Sequence, residues 1–384
     1  MNKKLFAFFL LIAVLLFPPV FQLLCKTELF YFQILLYCCS FSFLIIAVLL
    51  LFKKTKGFFL YVINLLILLL FLCGLEFFFG FLNQRSPVEK IHYNTDLNSG
   101  KAGEMIDTDS VLGYKLKPDL HFSTLLTIDG DSIYNSTFHS SSMGWRSTPF
   151  DSAKNKAVVF LGCSYTFGEG VNDDQTLPWI IGKNTDYNSY NLAFLGYGPQ
   201  QSLLSMKSLI LPPAQQTKVF YVYIDGHIQR INGNMMVVNS YGENFPYPEI
   251  ENDSLVMHPS FEKKSPVLFH LYSVLEDCQT MQYFNLDLPL IHTDRHFELC
   301  GKTVEELAKT VVMKYQSPLI VVIYPGSLKH REVLNHVDKK LIQVLDYSDV
   351  CEKGNEKYFF KIDGHPNALL NKIIADRILK DIFR

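Results

Sequence analysis

Two short segments far apart in the chain carry residue types that could perform nucleophilic chemistry. In the first, Phe160-Leu161-Gly162-Cys163-Ser164-Tyr165-Thr166, an apolar run passes directly into small residues that bracket a serine. A serine placed there projects its hydroxyl from the carboxyl end of a sheet strand, where open α/β sheets bind their ligands. The second, Asp363-Gly364-His365-Pro366-Asn367, lies just before the last helical pattern. A neutral histidine can take the Ser164 proton during attack and return it to a leaving group, provided a carboxylate or carbonyl holds its other ring nitrogen. Asp363 is the nearest carboxylate for that task, with a main-chain carbonyl or Asp225 as alternatives. Ser164, His365 and Asp363 are therefore the candidate catalytic residues.

The elements that must position them are legible as patterns. Ala157–Gly162, Val219–Asp225 and Pro318–Tyr324 are continuous apolar runs, which suit parallel strands covered on both faces. Helical patterns separate them at Gln200–Leu211 and Thr303–Lys314, and another closes the chain at Asn367–Phe383. Alternating strands and helices predict a doubly wound α/β domain over residues 151–384. Residues 86–150 are turn-rich, as at Gly113–Pro118 and Asp129–Asp131, and read as an extended β-rich flap. Within it Gly144-Trp145-Arg146 and Tyr114 read as packing residues.

Residues 1–85 have another character. Leu5–Leu24, Leu29–Phe52 and Phe58–Leu82 are apolar runs without Lys or Arg, and each is as long as the roughly 20 helical residues that cross a bilayer. They predict a membrane anchor of three retained transmembrane helices, the first kinked by Pro18 and Pro19. Lys3 and Lys4 flank the start and Lys53, Lys54 and Lys56 lie in the turn between the second and third runs. The positive-inside rule then puts the N-terminus in the cytoplasm and the C-terminal domain in the periplasm or outside the cell. Glu76 is the one ionisable residue within a run, near its outer end, and reads as reaching headgroup water.

Composition agrees with this division. Of 32 Phe, 17 lie in residues 1–85, where seven basic residues face two acidic ones. That segment carries +5 and the remainder −7, for the overall −2. An acidic body argues against nucleic acid as partner, because phosphate binding needs a surplus of clustered Lys and Arg. No CxxC or Cys/His spacing suggests zinc. His292, Asp294 and His296 read as a solvated loop, and Asp173 and Asp174 as a solvated turn with capping potential. No metal or cofactor is called for, and Cys278 with Cys300 is the candidate disulfide.

Gly162-Cys163-Ser164-Tyr165-Thr166 together with Asp363-Gly364-His365-Pro366-Asn367 resembles the SGNH (GDSL-type) hydrolase and acyltransferase superfamily, in particular its membrane-anchored, exported bacterial members with a Ser-x-Thr-Phe-Gly-x-Gly-Val string. The resemblance covers about Ala157 to the C-terminus. It implies a three-layer α/β/α SGNH-like fold with a parallel sheet, a Ser-His-Asp triad, and acyl-ester chemistry on envelope glycans or lipids. Asn191–Gln200 is similar to the second family block, which assigns an oxyanion-hole amide to Gly196 beside that of Ser164. The third block normally supplies an Asn; this chain has Ile224-Asp225-Gly226-His227-Ile228-Gln229-Arg230 instead. His227 is the candidate replacement donor, and Arg230 could hold a neighbouring carboxylate or an anionic substrate. Tyr165 and Thr166 beside the nucleophile are further candidate substrate contacts. Cys163 stands where the family has Asp and reads as a buried, unreactive residue.

The expectation is a serine esterase or O-acyltransferase with the bilayer, an acylated glycan or lipid substrate and an envelope-biosynthesis membrane protein as partners. The alternative is a catalytically weak SGNH-like subunit that binds glycan or scaffolds an envelope complex, motivated by the missing Asn and by Cys163.

Overall fold

The computed structural model describes residues 3–16, 30–49, 56–83, 89–95, 105–241 and 244–384. The chain divides into two compact units, Met1–Ser86 with His270–Asp287, and Pro87–Phe269 with Leu288–Arg384.

The first unit contains α1 (Lys3–Leu16), α2 (Phe30–Leu49) and α3 (Lys56–Asn83). Ala13, Phe43, Ile46 and Leu66 form its buried apolar cluster, and the Ser40 hydroxyl donates to the Ala13 carbonyl at 2.6 Å. Among the described residues one helix, Ile63–Asn83, is long and apolar enough to cross a membrane. The described parts of the other two predicted spans are α1, with 14 residues, and α2, with 20; residues 17–29 and 50–55 lie outside the described residues. Pro18 and Pro19, most of the basic turn and residues 84–88 lie outside the described residues.

Glu76, expected at the outer end of its run, is half-buried and has protein partners. Its carboxylate accepts from the Gln279 amide at 2.6 Å and the Thr280 amide at 3.1 Å, at the start of the short helix Gln279–Tyr283. Asn83 reaches the Gln279 carbonyl at 3.0 Å, and the Phe79 ring packs on Tyr283 and Phe284. These contacts draw His270–Asp287 out of the predicted 151–384 domain and into the helical unit.

The second unit begins with the expected β-rich segment. β1 (Glu89–Thr95), β4 (His121–Ile128) and β5 (Asp131–His139) form an antiparallel sheet, and β2 (Ile106–Asp109) pairs with β3 (Gly113–Leu116). There follow β6 (Lys156–Leu161), α4 (Ser164–Phe167), α5 (Leu177–Lys183), β7 (Tyr187–Asn191), α6 (Pro199–Ser208), β8 (Gln216–Tyr223), α7 (Gly226–Asn232) and α8 (Met235–Tyr241). The hairpin β9 (Tyr247–Glu251) and β10 (Ser254–His258) precedes α9 (Phe261–Lys264); α10 (Pro266–Glu276) and α11 (Gln279–Tyr283) come next, counting with the helical unit from His270 onward. The last elements are α12 (Asp294–Tyr315), β11 (Leu319–Ile323), α13 (His330–Leu334), β12 (Ile342–Asp346) and α14 (Ala368–Ile382).

Five strands pair in the order β12-β11-β8-β6-β7, every pair parallel. Their side chains alternate between two buried layers. Val159, Leu161, Val219, Tyr221, Val321 and Ile323 pack beneath α6, α7 and α12. Val158, Phe160, Phe220, Val222, Ile320 and Val322 pack beneath α5 and α14. The predicted doubly wound α/β arrangement is therefore present, with helices on both faces of a parallel sheet. The chain runs from β6 out to β7 and returns to β8 on β6's other side, so the carboxyl ends of β6 and β8 form the switch point where such sheets hold ligands.

Exchanging Glu76 for Ala removes a charged acceptor from two backbone amides, each such bond contributing about 1.5–3 kcal/mol. Hydrogen exchange at Gln279 and Thr280 in the full chain should accelerate by about tenfold or more. Unchanged protection would show that the cap contributes nothing.

Candidate active site

Ser164 sits at the switch point because β6 is followed by Gly162, in a backbone conformation that other residues rarely adopt. Gly162 has φ +147°, and a Cβ there would lie 2.4 Å from Thr166 Oγ1. The chain turns at once into α4, whose amides of Thr166 and Phe167 bond back to the Cys163 carbonyl. Ser164 is the first residue of this helix, and its own amide has no partner among the described residues, as expected at a helix start. Gly196 has φ +72°, with Tyr241 and the Tyr114 hydroxyl where a Cβ would stand. Its amide is likewise unpaired among the described residues. Tyr114 braces this turn: its hydroxyl donates to the Leu195 carbonyl at 2.8 Å and its ring stacks on Tyr241.

The second segment forms a tight loop. Phe360 and His365 are bonded main chain to main chain at 2.8 Å, and Gly364 N–H donates to the Phe360 carbonyl at 2.9 Å. Two residues at positive φ make the reversal, Gly364 at +74° and the β-branched, exposed Ile362 at +66°. A β-branched residue there costs on the order of 1–3 kcal/mol and is held by its surroundings. The reward is geometric: Asp363 Oδ2 comes within 2.8 Å of His365 Nδ1 despite a spacing of only one intervening residue. Asp225, the alternative, is engaged elsewhere, accepting from the amides of Leu328 and Lys329 and from the Tyr223 hydroxyl.

The two segments meet. His365 Nε2 lies 2.8 Å from Ser164 Oγ, giving a Ser-His-Asp chain of hydrogen bonds. Burial pulls the His365 imidazole down, but Glu169 and the bonded Asp363 outweigh it and push it up to about 9.

Glu169 is a site residue that the sequence reading passed over. Its Oε2 lies 3.2 Å from the same His365 Nε2. Gly168 and Gly170, at φ +91° and +77°, fold the chain back so that the Glu169 amide bonds the Ser164 carbonyl. Burial pushes the Glu169 carboxyl up, against the pull of His365. Arg146, read as packing, is the anchor of this loop. Its guanidinium is buried and donates to the carbonyls of Phe167, Gly168 and Val171 and to Asp173 at 3.0 Å. Asp173 is accordingly no solvated residue; it also accepts from His139.

Several expected contacts take other roles. His227 is fully buried, bonded through Nδ1 to the Tyr221 hydroxyl at 2.6 Å and edge-on to Tyr223, so it has no surface to offer an oxyanion. Burial, with Arg230 adding, drives its imidazole well below the usual range and keeps it neutral. Thr166 is 1% exposed beneath the elbow and contacts no substrate space. Tyr165 donates its hydroxyl to the Gly364 carbonyl at 2.8 Å and packs beside the His365 ring, so it locks the two segments together. Arg230 does face the site region: it lies beside Cys163, donates to the Tyr197 carbonyl at 3.0 Å, and has no carboxylate at ion-pair distance among the described residues. Cys163 is buried, as expected, and Cys278 and Cys300 are both free thiols, because Cys300 lies inside the α12 core. His296 caps its own helix through Thr293, and His292 meets Asn234.

No protein-family model and no curated protein matches the chain. Similar solved structures include the following two. One, described as a lipolytic protein of G-D-S-L family from Desulfitobacterium hafniense, is 14% identical over 59% of this chain and 98% of its own, with a TM-score of 0.34. The other, described as a GDSL-like lipase from Bacteroides ovatus, is 13% identical over 77% of this chain and 79% of its own, with a TM-score of 0.32. Likenesses at this level leave the functional case to the site's own geometry.

Replacing Arg146 by Met keeps an apolar stem against Phe138 and Phe167 but leaves Asp173 and three carbonyls without their donor. Urea unfolding of the full chain should show a loss of about 3–5 kcal/mol. A loss below about 1 kcal/mol would mean that the network adds little.

Proposed function

We propose that this protein is a membrane-anchored SGNH-like serine esterase or O-acyltransferase acting on acyl esters of exported glycans or lipids. The observation that carries the reading is the 2.8 Å contact of His365 Nε2 with Ser164 Oγ, with Asp363 at 2.8 Å on the other ring nitrogen. In this reading Ser164 Oγ attacks the acyl carbonyl as His365 Nε2 takes its proton. The carbonyl electron pair moves to oxygen, where the Ser164 and Gly196 amides receive it. His365 then protonates the departing alcohol, leaving an acyl-serine, and the same steps in reverse pass the acyl group to water or a sugar hydroxyl. Asp363 orients the ring and stabilises its cation. Arg230, without a carboxylate partner, would receive an anionic group of the substrate. The basic residues around the apolar N-terminal runs support an exported position for the site.

A fluorophosphonate should label the full chain at Ser164, and Ser164→Ala should abolish labelling and lower ester turnover by at least about a thousandfold. Labelling that persists in the variant would remove Ser164 as nucleophile. A wild type that is neither labelled nor active would favour the glycan-binding subunit, for which the burial of His227 is the supporting observation.

The sign of the pH dependence follows from His365. An imidazole raised to about 9 is protonated below that pH and cannot accept the serine proton. Turnover (kcat/KM) for p-nitrophenyl acetate should therefore climb as pH rises toward about 9. A rise complete by pH 7 would contradict the raised imidazole.

A further inference from the structure

His365 presents one nitrogen to two partners. Ser164 Oγ lies 2.8 Å from Nε2 and Glu169 Oε2 lies 3.2 Å from it, while Nδ1 is committed to Asp363. In the neutral ring with its proton on Nδ1, Nε2 is an acceptor, suited to the serine hydroxyl but repelled by an ionised carboxylate at that distance. In the protonated ring, Nε2–H is a donor and Glu169 is its charged acceptor. The two partners therefore favour opposite protonation states of the same atom.

We propose that Glu169 is a positioning residue that holds His365 in its protonated, resting form and so sets the pH at which Ser164 can be activated. The carboxylate is built into place. Gly168 and Gly170 return it to the nucleophile, its amide is bonded to the Ser164 carbonyl, and Arg146 fixes the carbonyls on either side of it. The other groups facing the pair are Asp363 on the histidine's own loop, Cys163 and Tyr165 at the head of α4, Tyr241 on α8, and Arg146 and Arg230 beyond Glu169. Arg146 is neutralised by Asp173. Among these, Glu169 alone opposes Ser164 at Nε2.

The proton goes to solvent. Before attack the Nε2 proton leaves to water, giving a neutral ring whose Nε2 can accept. The Ser164 proton then moves to Nε2 as the Oγ–carbon bond forms and the carbonyl π pair becomes the oxyanion. Neither step needs a co-reactant. Entry of an ester that displaces Glu169 from Nε2 removes the charge that holds this proton and favours its loss to water.

The inference concerns the regulation of the site proposed above, and one of its two measurements does not depend on that reading. In the full chain in detergent, with histidines labelled by 15N and 13C, the His365 ring is titrated by NMR in wild type, Glu169→Gln, Glu169→Met and Glu169→Asp. Removal of the charge should lower the His365 midpoint by at least about one unit in the Gln and Met variants, and Asp should restore part of the shift. The low-pH limb of kcat/KM for p-nitrophenyl acetate should move with it, raising turnover near pH 7 by about tenfold. A purely structural role would alter thermal stability and leave both midpoints in place. An unchanged His365 midpoint in both Gln and Met variants overturns the proposal. A shifted midpoint in a protein that hydrolyses no ester would uphold the Glu169–His365 coupling while removing the esterase reading.

Discussion

A buried guanidinium holds the corner around Ser164 together. Arg146 comes from the end of the β-rich flap, yet its donors end on three carbonyls of the loop that follows Ser164 and on the carboxylate of Asp173. Phe138 and Phe167 cover its faces. Removing a charge from water costs several kcal/mol unless each donor is satisfied, so the loop has little freedom to adopt another shape. Burial lowers this guanidinium to about 10 even with Asp173 beside it, well above neutral pH. The charge stays, and the carbonyls stay with it.

From that anchor the rest of the site can be followed outward. The loop it fixes carries Glu169 and begins at the elbow where Gly162 lets β6 turn into α4. Tyr165, second in that helix, reaches across to the Gly364 carbonyl. This one hydrogen bond spans almost 200 positions of sequence and sets the distance between the serine and the histidine loop. Asn191 adds a further tie, donating to the Thr166 carbonyl at 3.1 Å from the edge strand β7. Ser164 thus rests on a sheet end braced by polar bonds from the flap side, the edge strand and the C-terminal loop.

Much of this was readable from residue order. Three central strands, the flanking helical patterns and the pairing of Ser164 with His365 follow from apolar runs and from the small residues around the serine. The edge strands β7 and β12 were not readable. β7 is Tyr-Asn-Ser-Tyr-Asn, and its asparagines are buried because they bond loops, Asn188 to Asp151 and Lys154 and Asn191 to the α4 carbonyls. Edge strands lack the second covered flank that makes a central strand uniformly apolar. Asp173 looked solvated for a similar reason: its partner Arg146 is 27 positions away, and nothing local announces it. Glu169 stood between two glycines, a pattern that reads as a turn until the turn is seen to end at the histidine.

By itself the sequence determined the class of the fold, the place of the serine at a strand end and the candidate base, because each rests on local pattern and on hydropathy. Only the tertiary structure decided what each side chain faces. It closed the short Asp-x-His loop onto its own imidazole, enclosed His227 beside Tyr221, turned Glu76 to the amides of Gln279 and Thr280, and brought a second carboxylate to Nε2. Those outcomes depend on distances between residues remote in the chain, and on desolvation, neither of which composition or spacing encodes.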